Sequence, residues 1–252
     1  MNGLISPTTW ALLVVLIGLA VLIALTVVQR RREVVGPVRE VHALSGLRDQ
    51  LKRAAESGKP LHIALGGGGL GSVKTASSLA GLQLLEGLSD AAVSYDVAPI
   101  VTVGDPTLLP LAQDILRRAY ERNQVPELYD PTRVRFVAPS ALAYGGAAVP
   151  VGVPEQVTSH VLIGAFGPEG SLLADSGYQQ EAVVGAAVDT LEAIAALYPA
   201  TEQLAMGEEL YAAGSQVTDE GKYATSLMAH DIVRFTLVAA ILLGALAALV
   251  AG

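Results

Sequence analysis

A chain of 252 residues that is 52% hydrophobic and only 16% charged, with a mean hydropathy of +0.48, is too apolar for an ordinary cytosolic domain and too mixed for a polytopic transporter. Sixteen basic residues against 24 acidic ones, for a net charge of −8, leave no broad phosphate-neutralising surface and argue against nucleic-acid binding. Cysteine is absent, which excludes disulfides and thiolate metal sites.

The charges are confined to the middle of the chain, because no Asp, Glu, Lys or Arg precedes Arg30 or follows Arg234. Trp10 to Val28 gives 19 uncharged, mostly aliphatic residues, and a helix needs roughly 20 to cross the hydrocarbon core. Phe235 to Gly252 gives 18 more; a buried core helix competes there, but an apolar segment with no polar stripe is expected to span. The pattern predicts a transmembrane helix over 8–29, an α/β domain over 36–230 and a second transmembrane helix over 231–252.

Arg30, Arg31 and Arg32 follow the first apolar segment directly, and nothing before it carries a side-chain charge. The positive-inside rule then places the domain in the cytoplasm and both termini outside, in a two-pass protein of the cell membrane whose first partner is the lipid bilayer. The missing basic leader and small-residue cleavage site argue against a removed signal peptide.

After the Gly36-Pro37 linker, Leu44, Leu47, Leu51 and Ala55 recur at helical steps, with Ser45 as a candidate cap and Gly58 as a stop. Leu61 to Leu65 is expected to be a buried strand, followed by five glycines within six positions and a helix from Ser72. A second strand is expected over Ala98 to Val103. Asp105 and Pro106 then look like an N-cap and first helical residue, ahead of a stripe of Leu108, Leu111, Ala112, Ile115, Leu116 and Ala119.

A third strand is expected over Arg133 to Val137, a small-residue helix over Ser140 to Ala148, and a fourth strand over His160 to Phe166. Gly167-Pro168-Glu169-Gly170 reads as a turn into a further, antiparallel strand at Ser171 to Ala174. Val183 to Ala187 is another strand candidate. Helices are expected over Thr190 to Leu197, over Glu202 to Ala213, and from Lys222 into the second span. Alternating strands and helices predict one α/β domain, a Rossmann-like and mainly parallel sheet with helices on both faces.

Gly66, Gly68 and Gly71 satisfy G-x-G-x-x-G after a strand and before a helix. In the functional reading these glycines, Ser72 and the helix start cradle the phosphates of an unknown nucleotide, with Asp105 as the nearest acidic residue ending a strand. In the structural reading the turn only lets a small-faced helix pack closely on the sheet, with no cofactor bound and Asp105 simply capping a helix. Lys74 and Thr75 resemble the end of a Walker A sequence, but Val73 stands where its glycine belongs.

No G-x-S-x-G or H-E-x-x-H occurs, and no catalytic or metal residue is assigned. His62 and His160 are expected to be core or rim residues, and Asp114 with Arg117 and Arg118 an exposed helical pair. Ala240, Gly244, Ala248 and Gly252 recur every four residues in the second span, and Ala20 with Ala24 in the first, a spacing that lets helices pack closely in lipid.

The stretches LHIALGGGGLG, SSLAGLQLLE, PIVTVGDPTLLPLAQDILRRAYER, VLIGAFGPEG and HDIVRFTLVAAILLGALAALV resemble an uncharacterised bacterial family of two-span membrane proteins, known as a domain of unknown function. The resemblance covers most of Leu61 to Val250. It implies a membrane-bound α/β protein and carries over no catalytic residue. With no complete catalytic constellation in view, the expected role is a non-enzymatic scaffold subunit of a homo- or hetero-oligomeric membrane assembly, and the alternative is a nucleotide-binding membrane protein.

Overall fold

The computed structural model describes residues 42–151, 154, 156–217, 237, 238 and 241. Both predicted spans, and the helix expected from Lys222, lie almost wholly outside them; the packing positions Ala240, Gly244 and Ala248 are outside too. Among the described residues no helix is long and apolar enough to cross a membrane. The chain divides into two units, one of Glu40–Glu220 and one of Met1–Arg39 with Gly221–Gly252.

Helix α1 (His42–Ser57) presents Leu47, Leu51 and Ala54 to the core at helical spacing and stops before Gly58. It starts ahead of Ser45, so that residue is not its cap. Strand β1 (Leu61–Leu65) is buried on both faces, which explains why all of its residues but His62 are apolar. A long turn leads to α2 (Thr75–Ser94), three residues later than the expected start at Ser72.

Strand β2 (Ile100–Val103) follows. Asp105 then caps a single 3-10 turn, Pro106–Leu108, that runs into α3 (Leu109–Arg122). Strand β3 (Val134–Phe136), α4 (Ala141–Ala148) and β4 (Ser159–Gly164) follow in the predicted order.

Two predicted elements are different. Ser171 to Ala174 is not a strand but part of α5 (Gly170–Gln179). Its buried Leu173, Ala174, Ser176 and Gly177 fall at helical intervals, and the parallel pairing of β4 with β5 (Val183–Val188) requires a crossover between them. Glu202 to Ala213 is not one helix. After α6 (Leu191–Leu197) it forms strand β6 (Gln203–Met206), which pairs with β5, and then α7 (Glu208–Val217). Gly207, at φ +57°, makes the break between them, a backbone conformation that costs glycine least.

All five strand pairings are parallel, and the sheet runs β3-β2-β1-β4-β5-β6. There is no antiparallel piece among the described residues. The order reverses between β1 and β4, the arrangement of a doubly wound dinucleotide-binding fold. One face carries α1, α2, α3 and α7 over Ile63, Val101, Val103, Val161 and Ile163. The other carries α4, α5 and α6 over Ala64, Leu162, Val184 and Ala186.

Leu84, Leu85 and Leu88 of α2 are completely buried, each contributing about 1.5–3 kcal/mol relative to exposure. Helix α1 is also tied by polar contacts. Ser159 Oγ donates to Gln50 Oε1 at 2.5 Å, and Gln50 Nε2 donates to Gln203 Oε1 at 3.3 Å.

Candidate functional site

Three strand exits meet backbone to backbone where the order reverses. Gly66 N donates to the Ile163 carbonyl at 2.9 Å, and Gly104 N donates to the Leu65 carbonyl at 3.0 Å. A Cβ on Gly66 would run into the Ala165 carbonyl, and one on Gly104 would lie 3.0 Å from Gly67 Cα. Glycine is required here by close approach, as in the first glycine of a phosphate-binding turn.

The rest of the turn is held by its own side chains. A Cβ on Gly68 would sit 2.7 Å from Ser78 Oγ, and one on Gly69 would collide with the Asp105 carboxylate. Asp105 Oδ1 accepts from Thr107 N at 2.8 Å and from Thr107 Oγ1 at 2.5 Å, while Leu70 N donates to Thr107 Oγ1 at 3.0 Å. Ser72 Oγ donates to the Gly69 carbonyl at 2.9 Å and accepts from Lys74 N at 3.1 Å. Gly71 turns the chain at φ +83°. Gly67 is exposed, and a Cβ there would meet nothing within 4 Å.

The structure therefore gathers Gly66, Gly68, Gly71, Ser72 and Asp105 into one loop. Gly66 and Gly68 serve close packing, Ser72 fastens the turn, and Asp105 is both the predicted cap and a clamp on the glycines. Glu86 and Asp90, the acidic residues nearest the usual ribose spacing, are elsewhere. They hold Arg122 of α3 at 3.1 and 2.8 Å.

Beside the start of α2 lies a cluster that sequence reasoning missed. Asp189, just past β5, accepts at Oδ2 from Ser77 Oγ and from Tyr211 OH, the latter at 2.9 Å. Its Oδ1 is enclosed and has no partner. Burial, reinforced by the Asp189 carboxylate, pushes the Tyr211 hydroxyl above its ordinary range. The carboxylate also brings negative charge to the first turn of a 20-residue helix, where the helix dipole is positive. The only local signal is an Asp-Thr pair between a strand and a helix; Thr190 stands at the N-cap position of α6 but donates its hydroxyl to the Phe166 carbonyl.

A second buried polar group lies near the other end of the same strands. His62 and His160 are register partners on β1 and β4, with their Nδ1 atoms 2.9 Å apart. His62 Nε2 is 2.9 Å from Thr102 Oγ1, which is 3.0 Å from Tyr144 OH. One proton arrangement serves this whole chain of contacts. The Tyr144 hydroxyl donates to the Thr102 carbonyl at 3.3 Å and accepts from the Thr102 hydroxyl. Thr102 Oγ1 in turn accepts from His62 Nε2–H, and His62 Nδ1 accepts from His160 Nδ1–H.

Both rings are then neutral, and His160 Nε2 is left as a buried lone pair. Burial lowers both basicities, His160 to about 4; repulsion from His160, were it protonated, and from Arg135 lowers His62 further. These are core histidines, as their positions at strand starts predict.

Asp114 forms exposed ion pairs with Arg117 and Arg118, as expected. A cavity of about 600 Å³ opens beside α5 at the start of β5, with Ala174, Tyr178, Val184, Asp175 and Glu202 in its wall, away from the glycine turn. Among the described residues no group of three His, Asp or Glu side chains could hold a metal ion.

A family model described as a domain of unknown function, DUF6754, matches residues 3–252. The chain belongs to the DUF6754 family. No curated protein and no solved structure matches it. For this DUF6754 chain the doubly wound sheet order is a statement about architecture, and any activity has to be argued from the crevice itself.

Proposed function

We propose that this chain is a membrane-anchored protein whose α/β domain holds a nucleotide-like, phosphate-bearing ligand at the β1/β4 reversal. One observation carries the proposal: the glycine turn lies at the point where the strand order reverses, with Asp105 from the neighbouring strand exit folded onto it. Open α/β sheets bind ligands in this crevice, where neighbouring crossovers lie on opposite faces. Gly67 offers exposed backbone, the start of α2 supplies positive potential, and Asp105 is placed to accept from a sugar hydroxyl. The apolar ends support anchoring, and the three arginines support a cytoplasmic domain with both termini outside.

A second reading, a non-enzymatic scaffold subunit of an oligomeric membrane assembly, is favoured by a different observation. Ser78, Asp105 and the Ala165 carbonyl fill the space beside three of the glycines, and Asp189 sets a negative charge near the start of α2. The turn would then serve packing alone.

Thermal-shift titration of the full chain in detergent with NAD(P), ATP, GTP and flavins separates the two. A Tm increase that Gly67→Val removes, with no change in unliganded stability, supports the crevice. Silence across the panel, together with an oligomeric mass in detergent, supports the scaffold. The absence of cysteine makes the topology testable by single-cysteine labelling in intact cells. Asn2→Cys is expected to label from outside, and Ser94→Cys, at an exposed helix end, only after permeabilisation.

A further inference from the structure

The carboxyl end of the sheet carries an exposed large apolar residue at every strand exit. After β1 come Leu70 and Val73, the latter 101% exposed, and after β2 comes Leu111 in the first turn of α3. After β3 comes Leu142 of α4, 73% exposed, and after β4 comes Leu172 of α5. Leu191 opens α6 after β5 at 80% exposed, and Met206 ends β6. The four leucines at helix starts share a direction, because Cα–Cβ bonds tilt toward the helix N-terminus and so lean out over this end of the sheet. Single exposed leucines mean little, but here a large apolar residue recurs at each of the six strand exits, so apolar side chains line the whole carboxyl rim of the sheet.

The charge around this rim is mostly negative. Asp105, Glu192 and Glu209 stand at the same strand exits and helix starts, and among the described residues Lys74 is the one base there. An anionic bilayer surface would be repelled by these carboxylates. A second copy meeting the rim by two-fold symmetry would set like charge against like.

We propose that the carboxyl rim docks a segment of another protein in which apolar residues are flanked by Lys or Arg. The apolar side chains of that segment cover Val73, Leu142 and Leu191, and its basic residues meet Glu192 and its acidic neighbours. This goes beyond the ligand reading and stands whether or not the crevice is filled; a partner seated here would also close the way to Gly67.

The test uses the full chain in its native membrane, with a photo-crosslinking benzophenone side chain placed singly at Val73, Leu142 or Leu191. Leu128 and Tyr198, exposed at the opposite end of the sheet, serve as controls. All five positions are solvent-facing, so folding is expected to survive. The expected result is adducts from the three rim positions and none from the controls, with the captured peptide rich in apolar and basic residues. Glu192→Lys is expected to lower the yield from Leu191 about tenfold through like-charge contact. The proposal is overturned if the rim positions give no adduct or capture lipid, a second copy or this chain's own ends. It also fails if the captured peptide is acidic, or if controls and rim react equally. None of these outcomes depends on the nucleotide panel.

Discussion

The two ends of one parallel sheet hold polar groups on opposite terms. At the amino end, His62, His160, Thr102 and Tyr144 are sealed in, and each polar atom except His160 Nε2 finds a partner inside the protein. At the carboxyl end, glycine backbones and carboxylates crowd together while large apolar side chains face solvent. Polar groups that are sealed in specify a core, and their cost is avoided only by staying neutral and hydrogen-bonded. Apolar groups left outside indicate surface that is to be covered. The same six strands thus carry a sealed polar group at one end and, at the other, an exposed apolar residue at every strand exit. Leu128 and Tyr198 at the amino end, by contrast, are exposed singly.

The comparison breaks most sharply at neighbouring glycines. Gly66→Val drives a side chain into the Ala165 carbonyl and is expected to cost about 4 kcal/mol, most of the stability of a typical domain. Gly67→Val meets nothing and is expected to stay within about 0.5 kcal/mol of the parent. Urea unfolding in detergent, followed by circular dichroism, reads both. Equal effects at the two positions would mean that the strand exits do not touch as described.

The amino end is probed by acid. A histidine whose folded pKa lies below its unfolded value costs nothing above about pH 6.5, where both states are neutral. As pH falls further the unfolded chain takes up the proton first, so stability drops until the folded group titrates at about 4. His160 alone is expected to remove about 3 kcal/mol between pH 6.5 and 4, and His62 adds to the same slope. Unfolding midpoints at pH 7.5, 5.5 and 4.5 measure it, and His160→Gln should flatten the curve. A parent midpoint that stays constant over this window would place the pair in contact with water.

Smaller effects belong to the carboxyl end. Asp105→Ala removes the cap on the turn before α3 and the clamp on the glycine loop, an expected loss of about 1–2 kcal/mol in the same unfolding assay. Arg122→Ala, which frees Glu86 and Asp90 at a surface where all three side chains are partly exposed, should cost less than about 1 kcal/mol and shrink further in high salt.

Local pattern made much of this legible. Leu61 to Leu65 is short and apolar but for His62, five glycines follow, and Asp105-Pro106 announces a capped turn; each is decided by neighbours in sequence. Leu172 to Ala174 misleads because Leu-Leu-Ala suits a strand as well as a helix, and only the parallel crossover from β4 to β5 decides. Gln203 to Met206 misleads in the opposite sense, since its strand character comes from pairing with β5. The site divides similarly. The glycine turn is contiguous, whereas Asp189 reaches Ser77 across 112 positions, a meeting that the sheet alone arranges.

The central pairing of β1 with β4 joins residues such as His62 and His160 across 98 positions. During synthesis β1 can pair with β2 as soon as Val103 has emerged, but its other edge waits for Gly164. At ~5–20 residues per second that interval lasts roughly 3–12 s. For that time a five-residue strand, apolar but for His62, stands with one row of amides and carbonyls unmatched. The nascent chain is then open to mispairing with another ribosome's product, and a holding chaperone would have most to gain by binding at that moment.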